Sequence, residues 1–281
     1  LEGNTGGRSG QTYSHYQIME AGLRFIRENK DRPFFCYLPI TPPHGMFDIP
    51  TSDPAYQLYK DKDWPQDVKN YAGMVTMVDH NLGQVLSLLR ELGLEENTIV
   101  FFTGDNGGQD RFRDKDHPRG FFGPNVNPKT KAEFRGGKGN LYEGGLRIPY
   151  IVRWPGRIKA GQVSDHLCYQ PDVLPTLAEL TGAKAPKDID GLSFLPTLLG
   201  EEKLGRRQAQ HKYLYWEFGQ QTAVRVKQYK AIQPGNGKPW ELYDLSKDIS
   251  ESHSIAADQP GLLEQMKSYA KEAHEPVRPG T

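Results

Sequence analysis

Apolar positions along the chain change period several times, and each change predicts an element. Over residues 71–92, Val75, Val78, Leu82, Val85, Leu89 and Leu92 recur at steps of three and four. That period predicts an amphipathic helix, and Gly93 stops it. A second helix is expected over 14–29, where Ser14 can cap and Ile18, Phe25 and Ile26 share a face. The short apolar run 34–38, opened by Pro33, reads as a buried strand, and Thr41-Pro42-Pro43-His44-Gly45 after it reads as a loop. Residues 97–103 read as a fully buried strand ending at Gly104-Asp105-Asn106-Gly107-Gly108. Residues 109–140 are polar, rich in Gly and Pro, and irregular. A strand is expected over 148–154 and a short helix over 173–180, with Pro175 in its first turn. This alternation of helix and strand predicts an α/β domain with a mainly parallel sheet flanked by helices.

Beyond residue 206 the pattern shortens. Strands are expected over 213–218, 223–226, 229–232 and 240–245, with a turn at Pro234-Gly235-Asn236-Gly237 and a closing helix over 261–273. This is an antiparallel meander, and a boundary within 200–207 divides the chain into 1–205 and a small α+β subdomain, 206–281.

Composition removes several function classes. Thirty-five basic and 35 acidic residues cancel, so no bulk charge draws the chain to nucleic acid or anionic membranes. No run approaches the roughly 20 apolar residues of a membrane span. Two cysteines, Cys36 and Cys168, rule out a disulfide-dense scaffold and a four-cysteine zinc site. They are expected to be lone thiols, neither in the basic surroundings that make a thiol reactive. The chain opens on Leu1 with no signal-peptide pattern, so processing or truncation is expected to have removed the true start.

Three places carry candidate chemistry. Asp105 and Asn106 follow a strand, and ligands gather outside the carboxyl ends of strands in α/β sheets. Their oxygens suit Ca²⁺ or Mg²⁺, although Gly-Asp-Asn-Gly is also an ordinary turn. Arg135-Gly136-Gly137-Lys138-Gly139-Asn140 offers a lysine among glycines that an anion can approach closely. It is not a Walker A loop, because Ala132 and Gly139 stand where Gly and Ser or Thr are needed. The alternative is a flexible basic loop. His44, between a strand end and a proline-rich loop, could donate to an anionic oxygen or protonate a leaving group; a structural role is the alternative. Loop 109–134, with Arg111, Arg113, Lys115, Arg119, Phe112, Phe121 and Phe122, is either a pocket rim, where rings stack and anions pair, or a solvated charged loop. His166, His117, Asp79 and Asp165 fit no ligand spacing, and Asp79 falls off the apolar stripe of its helix.

Taken in order, these pieces resemble the C-terminal part of a type I sulfatase, of the bacterial arylsulfatase A or N-acetylgalactosamine-6-sulfatase kind. The resemblance rests on Asn4-Thr5-Gly6-Gly7, Tyr13-Ser14-His15, Arg32-Pro33-Phe34-Phe35-Cys36-Tyr37-Leu38-Pro39, Pro43-His44 and Thr103-Gly104-Asp105-Asn106-Gly107. Its most specific stretch runs from Arg135 through Lys138 and Glu143 to Arg147-Ile148-Pro149; Asp190-Gly191-Leu192 and Glu241-Leu242-Tyr243-Asp244-Leu245 follow. The resemblance implies an alkaline-phosphatase-like α/β fold, here incomplete, and hydrolysis of a sulfate ester, such as that of a sulfated sugar. It implies that Asp105 and Asn106 give two ligands of a Ca²⁺ site, that Lys138 holds the sulfate, and that His44 binds sulfate and helps the leaving group depart. Arg111 would touch substrate. The family's nucleophile is a formylglycine made in a Cys/Ser-x-Pro-Ser-Arg motif, and no such motif and no adjacent pair of aspartates occurs here. The chain is therefore expected to lack the N-terminal part of the enzyme and to be inactive alone. The resemblance also implies an exported or lysosomal setting. A phosphate or phosphonate ester hydrolase of the same fold is the nearest alternative, and a non-catalytic sugar-binding or scaffolding remnant the next.

Overall fold

The computed structural model describes residues 12–276. The Asn4-Thr5-Gly6-Gly7 stretch lies outside the described residues. By compactness the chain divides in two: residues up to Val100 with Trp154–Arg157, and Phe101–Arg153 with the residues from Ile158 onward. In this division the meander shares its unit with residues 101–153.

In the first unit, helix α1 spans Ser14–Glu28 and buries His15, Met19, Gly22 and Ile26. Tyr13 is its N-cap and no side chain caps it, so Ser14 does not play the expected role. A four-residue helix, α2 (Pro54–Gln57), precedes the long helix α3 (Gln66–Glu91). Helix α3 starts five residues earlier than its apolar period suggests, behind Pro65, because its first turn packs through Val68. It ends at Leu92, and Gly93 takes φ 69°, a left-handed conformation glycine reaches without a steric penalty. Asp79 is exposed, as its position off the stripe requires.

Residues 34–38 form no strand. The chain there is extended, with Phe34, Cys36 and Leu38 half-buried and Phe35 and Tyr37 70% and 74% exposed. Phe34 and Cys36 pack on the Ile26–Leu88–Leu89 cluster of α1 and α3. The alternation of a strand is present, but among the described residues no neighbouring strand completes a ladder, and a strand is defined by that pairing.

The second unit opens with strand β1 (Val100–Thr103), which pairs with β2 (Tyr150–Arg153) in a two-stranded sheet. Strand β1 is shorter than 97–103 and half-buried rather than fully buried. Phe101, Tyr150 and Phe194 pack edge to face, with ring centroids 5.9–6.4 Å apart. Between the strands lies the short helix α4 (Glu143–Leu146), and after them α5 (Val173–Thr181), α6 (Leu195–Leu199) and α7 (Glu201–Leu204).

Strands β3 (Leu214–Phe218), β4 (Gln221–Val226), β5 (Tyr229–Gln233) and β6 (Glu241–Asp244) form the antiparallel meander in that order, followed by helix α8 (Pro260–Ala273). Its register pairs Val224 with Ala231 and Ala231 with Leu242. Side chains alternate between the faces of a strand, so Ala223 and Val224 point opposite ways, yet both are fully buried. Val224, Ala231 and Leu242 lie under Leu263, Met266 and Ala270 of α8. Ala223, Ile232 and Tyr243 pack on Leu141 and Tyr142, just beyond the lysine loop.

Candidate functional site

The two glycine-rich segments meet in the second unit, and glycine is what lets them meet. A Cβ on Gly107 would collide with the Gly144 carbonyl, one on Gly144 with the Gly136 carbonyl, and one on Gly145 with the Asn140 carbonyl. A Cβ on Gly137 would lie 2.7 Å from the Gly108 oxygen. Backbone therefore packs on backbone, and hydrogen bonds close the junction: Gly107 N–H donates to Gly145 O and Lys138 N–H to Gly108 O, both at 2.9 Å. The Asp105-Asn106 turn and the Lys138 loop are thereby fixed to each other through main chain, and the Asn125 amide adds a bridge between the Gly108 and Gly144 carbonyls at 3.4 and 3.2 Å. Gly136 and Gly139 take φ 69° and 88°, bending the loop on either side of Lys138.

Asp105 is exposed and Asn106 half-buried, and both line a cleft of ≈ 1570 Å³. Arg147, His166, His211 and Arg225 line it too; Lys138 and Arg111 do not. Among the described residues neither Asp105 nor Asn106 spends its side-chain oxygens on a hydrogen bond. As hard oxygen donors side by side they fit part of a Ca²⁺ site, two of the six to eight ligands the ion takes. Among the described residues no group of three or more His, Cys, Asp or Glu could hold a metal.

His44 belongs to the other unit. It is exposed at a turn, where its N–H donates to Thr41 O at 2.9 Å and Gly45 follows at φ 81°. Arg111 is half-buried, and its carbonyl accepts from Phe121 N–H at 3.0 Å. Within the same loop Arg113 and Arg119 both reach the Asp110 carboxylate at 2.9 Å, and Arg119 also reaches Glu133 at 3.1 Å. Acids of the loop thus balance part of its basic charge. Burial pushes the Cys168 thiol up to about 11 and raises that of Cys36 as well. Both cysteines are free, and neither is a thiolate nucleophile at neutral pH.

Sequence reading assigns no separate role to the groups that brace this site. Glu143 is buried in a network of charges. Lys230, also fully buried, places Nζ 2.9 Å from Glu143 Oε1 and 2.8 Å from Glu251 Oε1. Arg147 Nε donates to Glu143 Oε2 at 2.6 Å, and the Glu251 carboxylate accepts from Glu143 N–H at 2.6 Å. Burial alone would raise the Glu143 carboxyl; the cations of Lys230, Arg225 and Arg147 reverse this and hold it at about 2. Burial raises Glu251, and the nearby Glu143 charge adds to that. His211 Nε2 lies 2.9 Å from Asp172, a fully buried carboxylate that also accepts the N–H of Leu192 at 2.7 Å and of Tyr169 at 3.0 Å. The pairs His211–Asp172, Lys230–Glu143 and Glu251–Glu143 lie 39, 87 and 108 positions apart, beyond any motif spacing.

A family model described as sulfatase matches residues 2–183, and a model described as N-sulphoglucosamine sulphohydrolase, C-terminal, matches 137–275. The chain belongs to the sulfatase family. It is 30% identical over 269 residues to an N-acetylgalactosamine-6-O-sulfatase of Bacteroides thetaiotaomicron, covering 89% of this chain and 48% of that protein. It is 34% identical over 253 residues to the N-acetylgalactosamine-6-sulfatase of Canis lupus familiaris, covering 89% and 44%. Among solved structures it is similar to Ps i-CgsB in complex with k-i-k-neocarrahexaose, with TM-score 0.74 and 26% identity over 96% of this chain and 56% of that one. The sulfatase chain spans about half the length of the curated relatives it matches. Its fold is accordingly alkaline-phosphatase-like α/β, with the small antiparallel sheet toward its C-terminal end. No described helix is long and apolar enough to cross a membrane.

Proposed function

We propose that the enzyme containing this chain hydrolyses the sulfate ester of a sulfated sugar to an alcohol and sulfate. The observation that carries this reading is the glycine-packed junction that fixes the Lys138 loop to the Asp105-Asn106 turn, in a chain of the sulfatase family. Fixed donors aimed where charge develops lower a barrier more than mobile ones. Lys138, on a loop without bulky neighbours, holds the sulfate by its ammonium and offsets charge on the ester oxygens. His44 binds sulfate and gives a proton to the leaving oxygen. Arg111 touches the substrate from the 109–134 loop. Asp105 and Asn106 would hold Ca²⁺, which when bound neutralises anionic oxygens. The formylglycine nucleophile would come from a Cys/Ser-x-Pro-Ser-Arg motif, which these 281 residues do not contain, so the chain alone is inactive in this reading. The N-acetylgalactosamine-6-sulfatases among the relatives support a sulfated sugar as substrate, while the steryl-sulfatases among them make a sulfated steroid the second reading, and family membership favours an exported or lysosomal setting.

The test is turnover of an aryl sulfate and an aryl phosphate by the complete gene product, with and without Lys138→Ala. The expected result is a preference for sulfate and a fall in kcat on the order of 10²–10³ with folding intact. Variant activity within twofold of wild type, or a preference for phosphate, would overturn the reading.

A further inference from the structure

Lys138 stands between Gly137 and Gly139, so neither flanking residue has a side chain to hold it. Within the loop one turn bond, Asn140 N–H to Gly137 O at 2.9 Å, holds the backbone. The remaining constraints come from outside. On one side Lys138 N–H reaches Gly108 O. On the other, the meander reaches in with the side chain of Gln221, the first residue of β4. Gln221 Nε2 donates to Gly139 O at 2.9 Å, and Gln221 Oε1 accepts from Leu141 N–H at 3.2 Å. One amide group thus grips the backbone immediately after Lys138 at two points, spanning Asn140. Among the described residues that amide makes no other hydrogen bond. Gln221 is half-buried and belongs to neither apolar cluster of the meander.

Arg135 grips the same loop from before Lys138. Its Nη1 donates to Tyr243 Oη at 2.8 Å and to Glu251 O at 3.0 Å, and its guanidinium lies 3.9 Å from the Tyr142 ring centroid. Those contacts also tie together the network around Glu251, so Arg135 serves the fold as well as the loop. Gln221 is separable from the fold: both of its polar atoms are committed to the loop.

We propose that Gln221 is a positioning residue for Lys138, setting where its ammonium stands through two hydrogen bonds to the Gly139 and Leu141 backbone. The inference rests on the reading of Lys138 given above. A catalytic group displaced by about 1 Å can lose 10²-fold in rate; a loop released at one of its anchors loses less.

Two measurements separate the inference from the reading beneath it. The first uses the complete gene product and Gln221→Met, which keeps side-chain length and removes both hydrogen bonds. Amide exchange at Leu141 and its loop neighbours should rise at least tenfold while exchange in α8 stays unchanged. Unchanged loop exchange would overturn the clamp whatever the chemistry proves to be. The second uses aryl sulfate hydrolysis by the complete gene product. Gln221→Met should lower kcat about tenfold, and in a Lys138→Ala background it should lower kcat no further, because residues acting as one unit are not additive. An equal loss in both backgrounds would overturn the positioning role. If wild-type enzyme turned over no sulfate ester, the reading of Lys138, and with it this role, would fall, while the exchange result would still decide whether the clamp exists.

Discussion

Strands β2 and β4 are both short and apolar, yet their faces fare differently. In β4, Ala223 and Val224 point to opposite sides and both are fully buried, one side under α8 and the other against Leu141 and Tyr142. In β2, Tyr150 packs on Phe101 and Phe194, while its neighbour Ile151, on the other face, is 58% exposed. The meander finds both of its covers within residues 141–270 of the same chain. The β1–β2 pair has, among the described residues, no third strand, and its β2 is left open at Ile151. An apolar pattern states that a face can be buried; whether it is buried depends on which element is there to cover it.

The largest effect should come from breaking the network that joins the meander to the lysine loop. Lys230→Met leaves Glu143 and Glu251 buried without their shared cation, and losing one partner of a buried pair costs about 3–5 kcal/mol. Urea unfolding followed by tryptophan fluorescence would measure it; a loss below 1 kcal/mol would mean that the network is decorative. The same network sets a pH window. Glu143 has its carboxyl lowered from the ordinary 4.5 to about 2. Its contribution is present above about pH 4.5 and is lost as pH falls toward 2. Wild-type stability should decline through that window and Glu143→Gln should decline less. Glu251, raised instead, acts in the opposite sense: its penalty appears as it ionises on the way up.

A middle effect is expected at the junction of the two glycine segments. Gly107→Ala forces a methyl against the Gly144 carbonyl. Overpacking of this kind costs about 1–3 kcal/mol, read as a lowered urea midpoint. An unchanged midpoint would show that the two segments part easily and would weaken the argument for a fixed site. The smallest effect belongs to the uncovered face. Ile151→Thr in the 281-residue chain should change stability by no more than about 0.5 kcal/mol and should lower self-association on a sizing column. A loss comparable to that of a core residue would mean that Ile151 is covered after all.

Much of this was legible in the sequence, for reasons particular residues make plain. The meander was readable because its strands are consecutive, its turns are short, and each face finds its cover nearby. Helix α3 was readable as an element, but its buried face only in part: Leu89 of the apolar period is buried, whereas Val75 is 45% exposed and Met74 and Met77 are buried instead. The run 34–38 misled because composition reports burial and not pairing: Phe35 and Tyr37 are as apolar as their half-buried neighbours. Asp105, Asn106 and Lys138 stood out by type and by the glycines around them, and the structure brings their segments together. What stayed hidden were the partners. Nothing near Lys138 in sequence marks Gln221, 83 positions on, and nothing in a meander strand marks Lys230 as the buried counter-charge of Glu143.

The glycine junction also limits how such an enzyme can diversify. The separation between the Asp105-Asn106 turn and the Lys138 loop is set by main-chain hydrogen bonds at glycines that leave no room for a Cβ. No side-chain exchange can lengthen it slightly or shorten it at all. The 109–134 excursion is tied to the junction at one point, where the Asn125 amide donates to the Gly108 and Gly144 carbonyls; change is easiest to absorb in the parts of that loop away from Asn125. The spacing of the two segments is therefore inherited whole or lost whole.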